Sequence, residues 1–221
     1  MSRNIFFDGG ANKGQSLQAF VEKWPNSKTF EIYCYEPDKT AFDITKRLIR
    51  RKFHKLENNI HTFRKAVWVK DGVIDFFIKA PASEGNTILY EKAKKQNASL
   101  TKNIVECIDL SKWIINNVKP EDFFILKLDI EGAEYRVVEH LEESGVLPLI
   151  NVFFLEIHGL KCNKSFDESM NLVNILNNHN LVPYSWGAET FDYSNYKNKI
   201  YDKQKLLAFY EKWQKRGLFL T

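Results

Sequence analysis

The chain has 221 residues, 44% hydrophobic and 14% aromatic, with 32 Lys and Arg against 28 Asp and Glu for a net charge of +4. This composition suits one folded domain over residues 1–221, with a C-terminal strand and aromatic helical tail from about 180, and excludes a disordered chain. No stretch approaches the ~18 consecutive apolar residues of a membrane span. Met1-Ser2-Arg3-Asn4 leads into an apolar run with no secretory signal, and Cys34, Cys107 and Cys162 are too few for a disulfide frame or zinc site, so the expectation is a cytoplasmic protein with reduced thiols.

The first predicted element is a strand over 4–8 that ends in Asp8. It passes through Gly9-Gly10-Ala11-Asn12-Lys13-Gly14 into a helix over 14–24 that begins with Gln15 and Ser16. An acidic strand end, a glycine turn and a helix start form a nucleotide-binding corner. Glycine lets the backbone come close to a ligand, and the helix start offers free N–H groups and a partial positive charge. Two ligands fit the spacing. From Gly9 it is Gly-x-Ala-x-x-Gly, a worn dinucleotide fingerprint that would suit an NAD(P)-dependent oxidoreductase. From Asp8 it is Asp-x-Gly-x-x-x-Gly, which suits S-adenosylmethionine (SAM): Asp8 would attract the ammonium of its methionine end while turn N–H groups take the carboxylate.

A second strand is predicted over 30–36 and a helix over 38–54. Glu36 stands where an acid would accept hydrogen bonds from ribose hydroxyls, and Pro37 suits the first helical turn. The basic run from Lys46 to Lys55 reads first as a solvated helix face, and second as a site for an anionic partner such as nucleic acid. Strands over 60–68 and 73–79, joined through Lys70-Asp71-Gly72, form a predicted hairpin. Residues 80–103 are polar and irregular, a flap near the cofactor. A strand over 104–108 and a helix over 109–117 capped by Asp109 follow.

The strand predicted over 123–130 is nearly all apolar but carries Lys127 and Asp129, with Glu131 just beyond. Alternation puts the three on one face, where buried charge demands partners or a ligand. A helix over 132–143 has Glu134 in its first turn. The strand over 151–157 brings Glu156, with His158 beyond it on the same face. A helix over 166–178 and a strand over 181–186 complete the alternation. The tail is aromatic: Tyr184, Trp186, Phe191, Tyr193, Tyr196 and Tyr201, then a helix over 202–216 with Leu206, Phe209, Tyr210 and Trp213 in one stripe. Such side chains stack on sugars, pack cores or form dimer interfaces. Alternating strands and helices imply a mostly parallel sheet covered on both faces, with ligands outside the carboxyl ends of its strands. Asp8, Glu36, Asp129, Glu156 and His158 would then share one crevice.

The segments DGGANKG, YEPD, ECIDLSKWI, LKLDIEGAEYRVVEHL and FFLEIHG, in that order over about residues 5–160, resemble the FkbM-type SAM-dependent methyltransferases. The resemblance implies a class I Rossmann-like three-layer α/β/α sandwich and O-methylation, often of hydroxyls on sugars or glycosylated natural products. It places Asp8 through Gly14 at the methionine end, Glu36 at the ribose, Lys65-Ala66-Val67 near the adenine, and Asp129 and Glu131 near the reacting groups. The expected acceptor is a carbohydrate or glycoconjugate, in a homodimer or a fusion with other glycan-synthesis domains. Asp129 and His158 are the leading candidates for the base that takes the hydroxyl proton, with Glu131 and Glu156 orienting the base or the sugar and Lys127 paired to the carboxylates. A divalent metal on Asp129, Glu156 and His158 is a secondary reading.

Overall fold

The computed structural model describes residues 2–95, 101–187, 193–194 and 196–214. Phe191 and the side chains of Phe209 and Trp213 lie outside the described residues.

In chain order the elements are β1 (Asn4–Gly9), α1 (Gln15–Lys23), β2 (Phe30–Tyr35), α2 (Lys39–Lys52), β3 (Ile60–Phe63), β4 (Ala66–Trp68), β5 (Gly72–Ile78), α3 (Tyr90–Lys95), β6 (Thr101–Asp109), α4 (Leu110–Asn117), β7 (Phe123–Leu128), α5 (Glu134–Glu143), β8 (Val152–Leu155), α6 (Phe166–Asn178), β9 (Pro183–Ser185) and α7 (Lys203–Gln214). Six strands form one sheet in the order β3-β2-β1-β7-β8-β9, with every neighbouring pair parallel. Alternation along the strands explains the layers. Ile5, Phe7, Phe124 and Leu126 face a core shared with Ile114 of α4, Val138 and Leu141 of α5, and Leu172 and Leu176 of α6. Phe6, Ile32, Ile125 and Phe154 face the opposite core, with Leu17 and Phe20 of α1 and Ile49 of α2. This is a three-layer α/β/α arrangement, and both faces of the sheet are covered, as its apolar strands require. None of the described helices is long and apolar enough to cross a membrane.

Strand order reverses between β1 and β7. Parallel sheets open a ligand crevice at such a point, outside the carboxyl ends of the strands. Gly9 of β1 sits beside Leu128 of β7 in register, so the glycine corner and the acids that follow β7 meet there.

Two expectations are corrected. The strand over 60–68 breaks at Arg64 and Lys65: β3 pairs with β2 in the main sheet, whereas β4 pairs with β6 in a second sheet of order β4-β6-β5. The hairpin is therefore absent. β5 runs antiparallel to β6, and β6 lies between it and β4. The apolar pattern runs on across Arg64 and Lys65 and does not encode which sheet each half joins. The flap over 80–103 is also more regular than expected, since it contains α3 and the start of β6.

Candidate functional site

The corner is fixed by backbone geometry. Gly10 has φ 77°, and a Cβ there would lie 1.9 Å from the carbonyl oxygen of Asp129. Only glycine fits that contact. The N–H groups of Gly10 and Ala11 both donate to the Tyr35 carbonyl at 3.0 Å, which ties β1 to the end of β2.

Glu36 is buried, and its two oxygens accept from the N–H groups of Asn12 (2.9 Å) and Asp38 (2.8 Å). Burial raises its carboxyl to about 7 against the opposing effect of those two N–H groups. Asp38 caps α2 through the N–H groups of Thr40 and Ala41. Its second oxygen accepts from Asn86 Nδ2 (2.8 Å) and the N–H of Ala82 (3.1 Å), so the segment after β5 is fastened over the corner.

Asp8 and Lys127 form a buried ion pair at 3.1 Å. Ser16 donates to the other Asp8 oxygen. Lys127 also donates to the Gly10 carbonyl at 2.8 Å and stands 3.6 Å from Asp129. Burial works against the ammonium, but Asp8 and Asp129 outweigh it and hold it well above the usual lysine range.

Beyond β7 the chain turns through Glu131, a non-glycine residue at φ 56°. Two contacts hold that turn from the segment after β5: Thr87 Oγ1 donates to the Glu131 carbonyl at 2.9 Å, and buried Lys92 donates to the same carbonyl at 3.0 Å and pairs with the Glu131 carboxylate. Glu134 accepts from the N–H groups of Ile130 and Gly132, both at 2.8 Å, and from His158 Nδ1 at 3.0 Å. His158 Nε2 lies 3.4 Å from Glu131, 3.5 Å from Glu156 and 3.7 Å from Asp129. Burial alone would lower the imidazole, but Glu134 and Glu131 outweigh it and raise it to about 10. Burial likewise raises Glu131, and His158 and Lys92 overcome it and hold the carboxylate at about 2.

A cleft of about 550 Å³ opens at this point. That is within the size range of small-molecule sites. Gly10, Ala11, Asn12, Gln15, Ser16, Glu36 and Pro37 line one end, and Asp129, Glu131, Glu156, Lys161 and Trp186 the other. Ala66, Val67 and Phe76 form an apolar wall, and Ser83 through Ile88 close the cleft over the corner. Lys127 reaches its floor.

Four expected contacts fall elsewhere. Asp8, Gly9 and Gly14 support the corner without lining the cleft, and Lys65 pairs with Glu106 at 2.8 Å instead. His158 is sealed beneath the acids, and Glu134 on Nδ1 and Glu131 nearest Nε2 favour its protonated form, which works against the role of base expected of it. Among the described residues the three side chains whose ligand atoms lie close enough together to share one ion are Asp129, Glu134 and His158; Glu156 stands 3.5 Å from His158 Nε2 but is not in that group. Both Glu134 oxygens already hold backbone N–H groups, and the His158 proton faces Glu134, so this donor set does not fit a metal.

Sequence reasoning placed a flap near the cofactor but missed Asn86, Thr87 and Lys92 within it. Nothing in the segment YEKAKK separates buried Lys92 from its neighbouring lysines.

The methyltransferase FkbM domain model matches residues 8–181 of the chain. A crystal structure of methyltransferase FkbM from Methylobacillus flagellatus KT aligns with a TM-score of 0.40 at 17% identity. That alignment covers 65% of this chain and 30% of the other, so it spans less than a third of that protein. No curated protein matches the chain in sequence.

Proposed function

The chain belongs to the methyltransferase FkbM domain family, and from that premise we propose that it transfers a methyl group from SAM to a hydroxyl of a sugar or glycoconjugate. One observation supports this above the rest: a single cleft runs from Glu36, buried and held by two backbone N–H groups, to the acids Asp129 and Glu156.

The residues present fit SAM. Each Glu36 oxygen holds one N–H and keeps lone-pair capacity for a ribose hydroxyl. Asn12 Oδ1, on the same wall, is buried with no hydrogen-bond partner among the described residues, an acceptor awaiting a donor. Ala66, Val67 and Phe76 supply apolar surface for a base. Asp8 serves this end indirectly, because Lys127 and Ser16 occupy it.

When bound, SAM supplies a methyl carbon on a sulfonium that leaves readily. The protein's part is alignment and removal of the hydroxyl proton. Glu131 is spent between Lys92 and His158, and Asp129 faces two cations, Lys127 at 3.6 Å and His158 at 3.7 Å. Glu156 remains: it lines the cleft, its side chain keeps 39% of its exposure, and its one ion-pair partner among the described residues is His158. Burial and the neighbouring charge of Asp129 raise its carboxyl above the ordinary value, which makes it the better proton acceptor. We assign Glu156 as the base, with His158 as a fixed cation that keeps the surrounding acids from repelling one another apart.

The test is mass spectrometry of candidate saccharides incubated with the protein and SAM. Gain of one methyl group on a hydroxyl is expected. Thermal shift with S-adenosylhomocysteine and with NAD(P) separates this from oxidoreductase chemistry, since a ligand at 100 times its Kd stabilises by about 2.7 kcal/mol. Stabilisation by NAD(P) alone would overturn the proposal.

A further inference from the structure

The segment Glu156 to Ser165 leaves β8, carries Glu156, His158 and Lys161, and forms the acceptor end of the cleft. Three hydroxyls from three helices meet beneath it. Tyr135 Oη of α5 lies 2.7 Å from Ser169 Oγ of α6, and Ser169 Oγ lies 2.6 Å from Tyr210 Oη of α7. Tyr210 Oη also lies 3.0 Å from the Lys164 carbonyl and 2.9 Å from the Ser165 carbonyl.

Proton counting gives the chain a direction. Carbonyls only accept, so the single Tyr210 proton is shared between the Lys164 and Ser165 carbonyls. Ser169 then donates to Tyr210, and Tyr135 donates to Ser169. The cluster is buried, with Ser169 fully enclosed. Gly159 rests directly on it: a Cβ there would lie 2.3 Å from Tyr210 Oη, 2.6 Å from Tyr135 Oη and 2.7 Å from Ser169 Oγ. The loop is thus seated on the hydroxyl cluster at Gly159 and tied to it at Lys164 and Ser165. A further tie from the C-terminal segment is Tyr201 Oη, which accepts from the Ile157 N–H at 3.4 Å.

Tyr210 and Tyr201 both lie beyond residue 181, where the match to the family model ends. We propose that the C-terminal segment is a working part of the active site, and that Tyr210 is a positioning residue: through its hydroxyl it fixes the 156–165 loop that presents Glu156 and Lys161 to the acceptor. The acceptor part of this inference rests on the methyltransferase reading; the bracing of the loop does not. The cofactor end is built from β1, β2 and the segment after β5, none of which contacts Tyr210 through these bonds. Loss of the hydroxyl therefore separates the two ends of the cleft.

The test is Tyr210→Phe in the full chain. The ring keeps its edge contact with Phe166 at 5.7 Å, so packing survives while the hydroxyl is removed. Amide hydrogen exchange should rise about tenfold within 157–165 and stay unchanged in β1, β2 and β7, the scale of one lost hydrogen bond opening locally. The Kd for S-adenosylhomocysteine should stay within about twofold of wild type, while kcat/KM for the acceptor saccharide falls, through a lower kcat as well as a higher KM because the loop carries Glu156. Ser169→Ala, which removes the partner behind Tyr210 but leaves Tyr210 on the loop carbonyls, should raise the same exchange by less than Tyr210→Phe does. Unchanged exchange in 157–165, or a rise spread evenly over the whole chain, would overturn the bracing. Faster exchange confined to the loop with unchanged kcat/KM would overturn the positioning role alone. Absence of any S-adenosylhomocysteine binding in wild type would count against the methyltransferase reading and leave the exchange result standing.

Discussion

Lys127 Nζ stands 3.1 Å from Asp8 Oδ1, and both side chains are shielded from solvent. The pair joins neighbouring strands at the point where strand order reverses, since Asp8 and Lys127 are register partners on β1 and β7. Removing one member leaves the other charge buried without compensation. Lys127→Met is therefore expected to cost about 3–5 kcal/mol, measured by urea denaturation. The double variant with Asp8→Asn should lose less than the sum of the two single variants, because the second change removes the stranded carboxylate. Strict additivity would show that the pair is not coupled.

His158 gives an alkaline limit to stability. Its folded value, about 10, lies above the ordinary 6.5. The folded state holds the proton more tightly, so the stabilisation is full below about 6.5 and is lost as pH rises through about 10. Glu131 gives the opposite limb: with a folded value of about 2 against 4.5, its contribution is present above 4.5 and lost as pH falls towards 2. Denaturation midpoints should decline at both ends, and His158→Gln should flatten the alkaline decline. NMR of the imidazole should show it still protonated at a pH of about 8. Titration near the ordinary value would refute the cationic assignment.

Much of this arrangement is legible in the sequence because it rests on local pattern. The run Phe123–Leu128 is apolar enough to require cover on both faces, and the charges set in and after it mark where the cover fails. α6 spans the residues expected for it, 166–178, and the structure shows what starts it: Ser165 caps its N-terminus and Glu168 completes a capping box. What stayed hidden depends on partners distant in sequence. His158 looks like a base until Glu134 and Glu131 are seen to enclose it. Asp8 looks like a ligand contact until Lys127 is found across the strand. The break at Arg64 and the burial of Lys92 are decided by which sheet and which turn those residues meet, and neither leaves a periodic trace.

On the proposed SAM reading, Glu36 would couple cofactor binding to pH. Burial raises its carboxyl to about 7, so near neutrality a fraction of the unliganded protein holds it protonated. The carboxylate is the form with full acceptor capacity for ribose hydroxyls. Affinity for S-adenosylhomocysteine should therefore strengthen as pH rises through about 7 and level off above it. The unliganded protein should show the reverse trend from this group, because a folded carboxyl raised above its ordinary value of 4.5 loses stability as pH rises through that interval. Glu36→Gln removes the dependence. It also turns an amide donor toward the N–H of Asn12 or Asp38, so its affinity should fall about tenfold or more, the scale of a lost charge-assisted hydrogen bond. Calorimetry across pH measures both effects, and a flat wild-type profile would show that Glu36 does not contact the ligand.

Of the three acids at the far end of the cleft, Glu156 and Asp129 are the two not spent in a short ion pair among the described residues, and their different surroundings predict different kinetic defects. Asp129 lies 3.6 Å from Lys127, and its charge raises the neighbouring Glu156 carboxyl. Glu156→Gln keeps the shape of the side chain but removes the proton acceptor, so kcat should fall by roughly 10²–10⁴ with S-adenosylhomocysteine binding intact. Asp129→Asn should also lower turnover with folding intact, but through a second route: removing its charge lowers the Glu156 carboxyl towards its ordinary value and weakens the base. The acidic limb of the kcat profile should then move to lower pH in Asp129→Asn, whereas in Glu156→Gln that limb should disappear. If Asp129→Asn abolished the limb and Glu156→Gln merely displaced it, the two roles would be exchanged, and Asp129 would be the residue that takes the proton.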